Sequence, residues 1–115
     1  MKVTIYHNPR CTKSRLTLQL LQDRGIEPNI IEYLKTPPDA ATLSGILKQL
    51  DMTARELMRK NEEEYKQHNL GGSELDQNTL IEAMVKHPKL IERPIVIANN
   101  KAAIGRPPEN VLEIL

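Results

Sequence analysis

The sequence predicts an α/β fold, a mixed sheet of about four strands packed by helices. Three observations carry that expectation. A β-branched run, a leucine-rich run of helical period and a second apolar run follow one another within about 30 residues of the start. Two apolar runs flank Asn99-Asn100 near the other end. Between these regions, apolar residues recur with the period of helices rather than strands.

The first strand is "KVTIY", Lys2 to Tyr6, short and β-branched as buried strands are. Asn8-Pro9 is a turn signal that ends it. From Thr12 to about Arg24 the pattern is helical, with Leu16 and Leu20 on one stripe and Leu18 and Leu21 beside it, and Gly25 stops the helix. "NIIEYL", Asn29 to Leu34, is the second strand, which makes a βαβ unit with parallel strands. "TPPDA" opens a second helix, whose Leu43, Ile46, Leu47 and Leu50 have the spacing of one buried face. "TARE", Thr53 to Glu56, fits a capping box. The polar stretch "NEEEYKQHNLGG" reads as a helical turn or two and then a loop. Asp76 to His87 is helical, with Leu80, Ile81, Met84 and Val85 inward, and Pro88 ends it. "PIVIA" and "KAAIG" form a hairpin around Asn99-Asn100, a pair that tolerates the positive φ of a type I′ turn. "PPENVLEIL" closes the chain as a helix with Pro at its start.

At 115 residues the chain is expected to be a single domain, 1–115. It has no Trp and no Phe, so the core is aliphatic. A net charge of +1 gives no reason to expect nucleic acid or a membrane surface as partner. No charged-then-apolar leader is evident and no apolar run is long enough to span a bilayer. One cysteine makes neither an internal disulfide nor a Cys-based zinc cluster, and no metal-ligand spacing or glycine-rich phosphate loop is present. The expectation is a cytoplasmic protein with a reduced thiol and no bound metal or cofactor.

That thiol, Cys11, sits where a strand hands over to a helix, with His7, Arg10, Lys13 and Arg15 close by in sequence. Helix N-termini and cations both favour a thiolate, so the position fits a nucleophile and an anionic substrate. A lone cysteine is commonly just a small buried hydrophobe. Basic residues at a helix start, however, oppose the helix dipole, and a thiolate or bound anion resolves that conflict. A phosphatase-type loop would need Arg at position 17, which is Thr17; a dithiol motif would need Cys at 14, which is Ser14. With no second cysteine, any adduct on Cys11 is resolved by an outside thiol. His68 and His87 read as isolated surface residues.

"YHNPRCTKSR", "YLKTPP", "ELMRKNEEEY", "IERPIVI" and "GRPPENVLEIL" together resemble the glutaredoxin-coupled arsenate reductase family, in its short bacterial branch, nearly end to end and in order. The resemblance implies a thioredoxin-like fold with an inserted helical segment at about 39–87. It implies that Cys11 is the catalytic cysteine, that His7 helps tune it, and that Arg59, Arg93 and Arg106 bind the oxyanion. It also implies that Pro94 is cis. Guanidinium forks suit tetrahedral oxyanions, and helix N–H groups near Ser14 would add hydrogen bonds. Thr12-Lys13-Ser14 follows the cysteine where well-characterised members have Gly-Thr-Ser. The implied substrate is arsenate, with glutathione as co-substrate and glutaredoxin as partner. Two other readings stand beside this one. A related branch of the fold holds transcription regulators that bind RNA polymerase, which would make the chain a non-catalytic interaction module. The other is a glutathione-linked thiol transferase acting on a different substrate.

Overall fold

The computed structural model describes residues 2–115, which form two compact units: one takes the chain up to Thr36 together with Arg93–Leu115, the other is Pro37–Glu92.

The first unit is built on a four-stranded sheet. β1 (Val3–His7) leads to α1 (Thr12–Asp23) and then to β2 (Asn29–Glu32). After the second unit, β3 (Ile95–Ala98) and β4 (Lys101–Ile104) complete it in the order β2-β1-β3-β4. β1 pairs with β2 in parallel and with β3 antiparallel, and β3 pairs antiparallel with β4, so the sheet is mixed as the sequence predicts. Asn99 and Asn100 both take positive φ, 55° and 62°, as the hairpin turn requires. β1 is one residue further on than expected. β2 stops at Glu32 because the carbonyl of Glu32 accepts from the N–H groups of Lys35 and Thr36, which turns the chain.

Alternation along the strands puts Val3, Ile5, Val96 and Ala98 on one face, which α1 and the C-terminal segment cover with Leu21, Val111 and Ile114. The end of α1 is a Schellman motif: the N–H of Gly25 (φ 76°) donates to Gln22 and that of Ile26 to Leu21, and Ile26 packs on the core. The buried face of α1 differs from the leucine stripe read in the sequence. Ser14, Thr17 and Leu21 are buried, and Leu16 is half exposed. The C-terminal segment, Pro108–Ile114, is a 3-10 helix, its bonds closing three residues apart, as from Asn110 N–H to Pro107 and Leu115 N–H to Leu112.

The second unit is helical. α2 (Ala40–Leu50), α3 (Ala54–Leu57), α4 (Glu63–Gln67) and α5 (Gln77–Lys86) precede a short 3-10 turn, Pro88–Leu90. Asp39 and Asp76 cap α2 and α5, accepting from Thr42 and Thr79 N–H, and Thr53 and Glu56 form the expected capping box. α2 and α3 pack on α5 with Leu43, Ile46, Leu47, Leu57, Leu80, Ile81 and Met84 buried. His68 and His87 are not isolated: their rings stack with centroids 4.5 Å apart.

Candidate active site

Cys11 lies at the carboxyl end of β1 and is the N-cap residue of α1, with only 8% of its surface exposed. The turn that delivers it is organised by Asn8. The Asn8 carbonyl accepts from Cys11 N–H at 3.0 Å, and its side-chain oxygen accepts from Arg10 N–H at 3.0 Å. This is the turn that Asn8-Pro9 signals in the sequence, formed by an Asn side chain that bonds the N–H two residues on.

Burial pushes the thiol up, but the N–H groups of Ser14 and Lys13 and the charges of Arg93 and Arg106 outweigh it, and the thiol lies below its ordinary pKa. The sulfur closes no short side-chain capping bond, so the N–H groups act on it as dipoles. Arg106 Nη1 donates to Cys11 Sγ at 3.8 Å. The guanidinium charges that favour the thiolate are therefore far from Cys11 in sequence. Arg15 is turned aside, its guanidinium donating to the Pro9 carbonyl at 3.0 Å and to Thr12 Oγ1 at 3.3 Å.

His7 Nδ1 and Ser14 Oγ are 2.7 Å apart, and Ser14 Oγ accepts from Asn8 N–H at 3.0 Å. His7 and Ser14 are both buried. Burial lowers the pKa of His7, Glu32 opposes this and Arg15 adds to it, with a net fall. His7 Nδ1 and the Ser14 hydroxyl share a buried hydrogen bond whose donor is set by the His7 tautomer. His7 thus reaches Cys11 through Ser14, whose hydroxyl faces His7 while its backbone N–H acts on the sulfur.

Both arginines precede a cis proline, at Arg93-Pro94 and Arg106-Pro107. The first is the position the resemblance implied. Gly105 ties these segments to α1: its N–H donates to the Pro94 carbonyl at 3.0 Å and its carbonyl accepts from Thr17 Oγ1 at 3.4 Å. A Cβ at position 105 would collide with Thr17 Oγ1 and come within 2.9 Å of Pro94 Cγ, so only glycine allows this approach. Arg59 belongs to the helical unit. It pairs there with Glu62 at 3.5 Å and Glu92 at 3.9 Å, and its guanidinium donates to the Lys89 carbonyl at 3.5 Å. Among the described residues no group of three or more His, Cys, Asp or Glu is placed to hold a metal ion, and no helix is long and apolar enough to cross a membrane.

Residues 6–114 match the model of the ArsC family. An Escherichia coli K12 protein described only as uncharacterized, YfgD, is 62% identical over 99% of this chain and 97% of its own length. The arsenate reductase of Haemophilus influenzae is 51% identical, covering both chains completely. Among solved structures, the arsenate reductase of Vibrio cholerae superposes with a TM-score of 0.97 at 54% identity, over all of this chain and 98% of that one. The fold is the thioredoxin-like one of these proteins.

Proposed function

The chain belongs to the ArsC family, and on that premise we propose that it is an arsenate reductase that works through Cys11 with glutathione and glutaredoxin as the external thiols. The observation that carries this reading is the pairing of the only cysteine, favoured as thiolate, with two guanidinium groups, Arg93 and Arg106, that act on it. A nucleophile beside fixed positive charge is what attack on a bound oxyanion needs.

In this reading arsenate lies against Arg93 and Arg106, and the α1 N–H groups near Ser14 add hydrogen bonds. The Cys11 thiolate forms a sulfur–arsenic bond and one arsenic oxygen leaves as water. Glutathione displaces a second oxygen, again as water, which gives an arsenic(V) centre carrying both sulfurs. A glutaredoxin thiolate attacks the glutathione sulfur. That sulfur–arsenic bond breaks, its electron pair stays on arsenic, and a mixed disulfide leaves. Water then takes arsenic(III) off Cys11 as arsenite and restores the thiol. Two thiols are oxidised for each arsenate reduced. The single cysteine supports external thiols, because no internal disulfide forms within one chain. His7, through Ser14, holds the first turn of α1 in place beneath the sulfur.

The test is NADPH consumption with arsenate, glutathione, glutathione reductase and a glutaredoxin. Saturable turnover that Cys11→Ser abolishes is the expected result. Turnover that survives Cys11→Ser, or no turnover with a glutaredoxin that serves another arsenate reductase, would overturn the reading.

A further inference from the structure

Arg15 is a cation beside the thiol that the proposed reaction leaves unused. It lies one helical turn beyond Cys11, and its backbone N–H donates to the Cys11 carbonyl at 3.0 Å. Its side chain runs back past the cysteine. Nη1 donates to the Pro9 carbonyl at 3.0 Å and Nη2 to Thr12 Oγ1 at 3.3 Å. One guanidinium therefore grips the chain two residues before the thiol and one residue after it. A planar fork with two separate nitrogens suits two acceptors set apart, and a single ammonium does not match that geometry.

The grip falls on the part of the site that is made of backbone. Asn8 fixes the entry to the loop through the N–H groups of Cys11 and Arg10. Arg15 fixes the loop at Pro9 and again at its exit, Thr12. Thr12 is the first residue of α1, and Lys13 and Ser14, whose N–H groups favour the thiolate, follow it directly. A backbone dipole helps an anion only while its direction is kept, and its reach is the first turn of the helix. The charges that act on the sulfur are those of Arg93 and Arg106, so the contribution of Arg15 is geometric. Thr12 supplies one of its two acceptors. The glycine that follows the cysteine in well-characterised members has no side-chain oxygen, so this second arm belongs to a chain with a hydroxyl at position 12.

We propose that Arg15 is a positioning residue for Cys11: by bridging Pro9 and Thr12 it clamps the turn, so that the Lys13 and Ser14 N–H groups stay directed at the sulfur. Its guanidinium is engaged by the loop and is not an anion ligand beside Arg93 and Arg106. The inference rests on the proposed reaction only in taking Cys11 as the reacting group. It holds whatever electrophile the thiolate attacks.

Alkylation of Cys11 by iodoacetamide, followed from acid to alkaline pH on the full-length protein, tests this without arsenate. Arg15→Gln removes the fork, and Arg15→Lys keeps the charge without the fork. Both should shift the rate–pH profile to higher pH, with rates about threefold below wild type on the acid limb, the size of one modest hydrogen bond. Thr12→Val keeps the branched shape and loses the oxygen. It should give a smaller shift alone and add nothing to Arg15→Gln, because both remove the same contact. A wild-type profile in Arg15→Lys would assign the effect to charge and overturn the clamp. So would unmoved profiles in every variant, or shifts from Thr12→Val and Arg15→Gln that simply add. An earlier urea midpoint with the profile in place would mark a purely structural role and would also overturn it. In the arsenate assay kcat/KM should fall in step with the acid-limb alkylation rate. Absence of arsenate reduction by wild type would overturn the proposed reaction, and the alkylation profiles would still decide the clamp.

Discussion

Replacing Arg106 with Gln removes a charge 3.8 Å from the sulfur and leaves the backbone its neighbours use. Two unit charges at that separation attract by about 1 kcal/mol in a water-like dielectric and about 4 kcal/mol at an effective dielectric of 20. Arg106 is exposed, so the water-like figure applies. Near 1 kcal/mol, the thiolate fraction at any pH below the thiol pKa falls about fivefold. Cys11 is the only cysteine, so alkylation by iodoacetamide reports on it alone, and the neutral reagent is not itself steered by the lost charge. The rate–pH profile of Arg106→Gln should shift to higher pH and run about fivefold below wild type on its acid limb. At high pH it should meet or slightly exceed wild type, because a more basic thiolate is intrinsically the better nucleophile. Superimposable profiles would refute the electrostatic account of the site. So would a loss of equal size at every pH, which would point to access rather than ionisation.

Ser14→Ala leaves buried His7 Nδ1 and the Asn8 N–H without their shared partner, at a cost of about 1–3 kcal/mol. Urea unfolding should show it as an earlier midpoint, and an unmoved midpoint would refute the role given to the hydroxyl. The lowered pKa of His7 also makes stability depend on pH. Its folded value lies below the unfolded one, so the stability it confers is complete above about pH 6.5 and is lost as pH falls toward the folded value. Wild type should therefore lose more stability than His7→Gln between neutral pH and pH 5; parallel losses would count against it.

Much of the fold is legible locally. β1, α1 and β2 announce themselves by apolar pattern, and the β3–β4 hairpin by Asn99-Asn100, because those signals are written in neighbouring residues. The buried face of α1 is not legible in that way. Ser14 and Thr17 are polar and wholly buried, made tolerable by bonds to His7 and to the Lys13 and Gly105 carbonyls, partners that a search for apolar stripes passes over. In the candidate site, Cys11 stood out by its position and its basic neighbourhood. Yet Arg15, one of the basic residues that drew attention to it, serves to hold the loop. The cations that lower the thiol pKa come from Arg93 and Arg106, and no spacing in the sequence links them to residue 11; only the family resemblance did.

The thiolate-favouring environment joins one of the first residues of the chain to two near its end. Part of that environment is local, from the Ser14 and Lys13 N–H groups, and is present wherever the start of α1 is formed. The part from Arg93 and Arg106 needs the distant segments in place beside β1, so the alkylation rate of Cys11 doubles as a gauge of whether that half of the sheet is assembled.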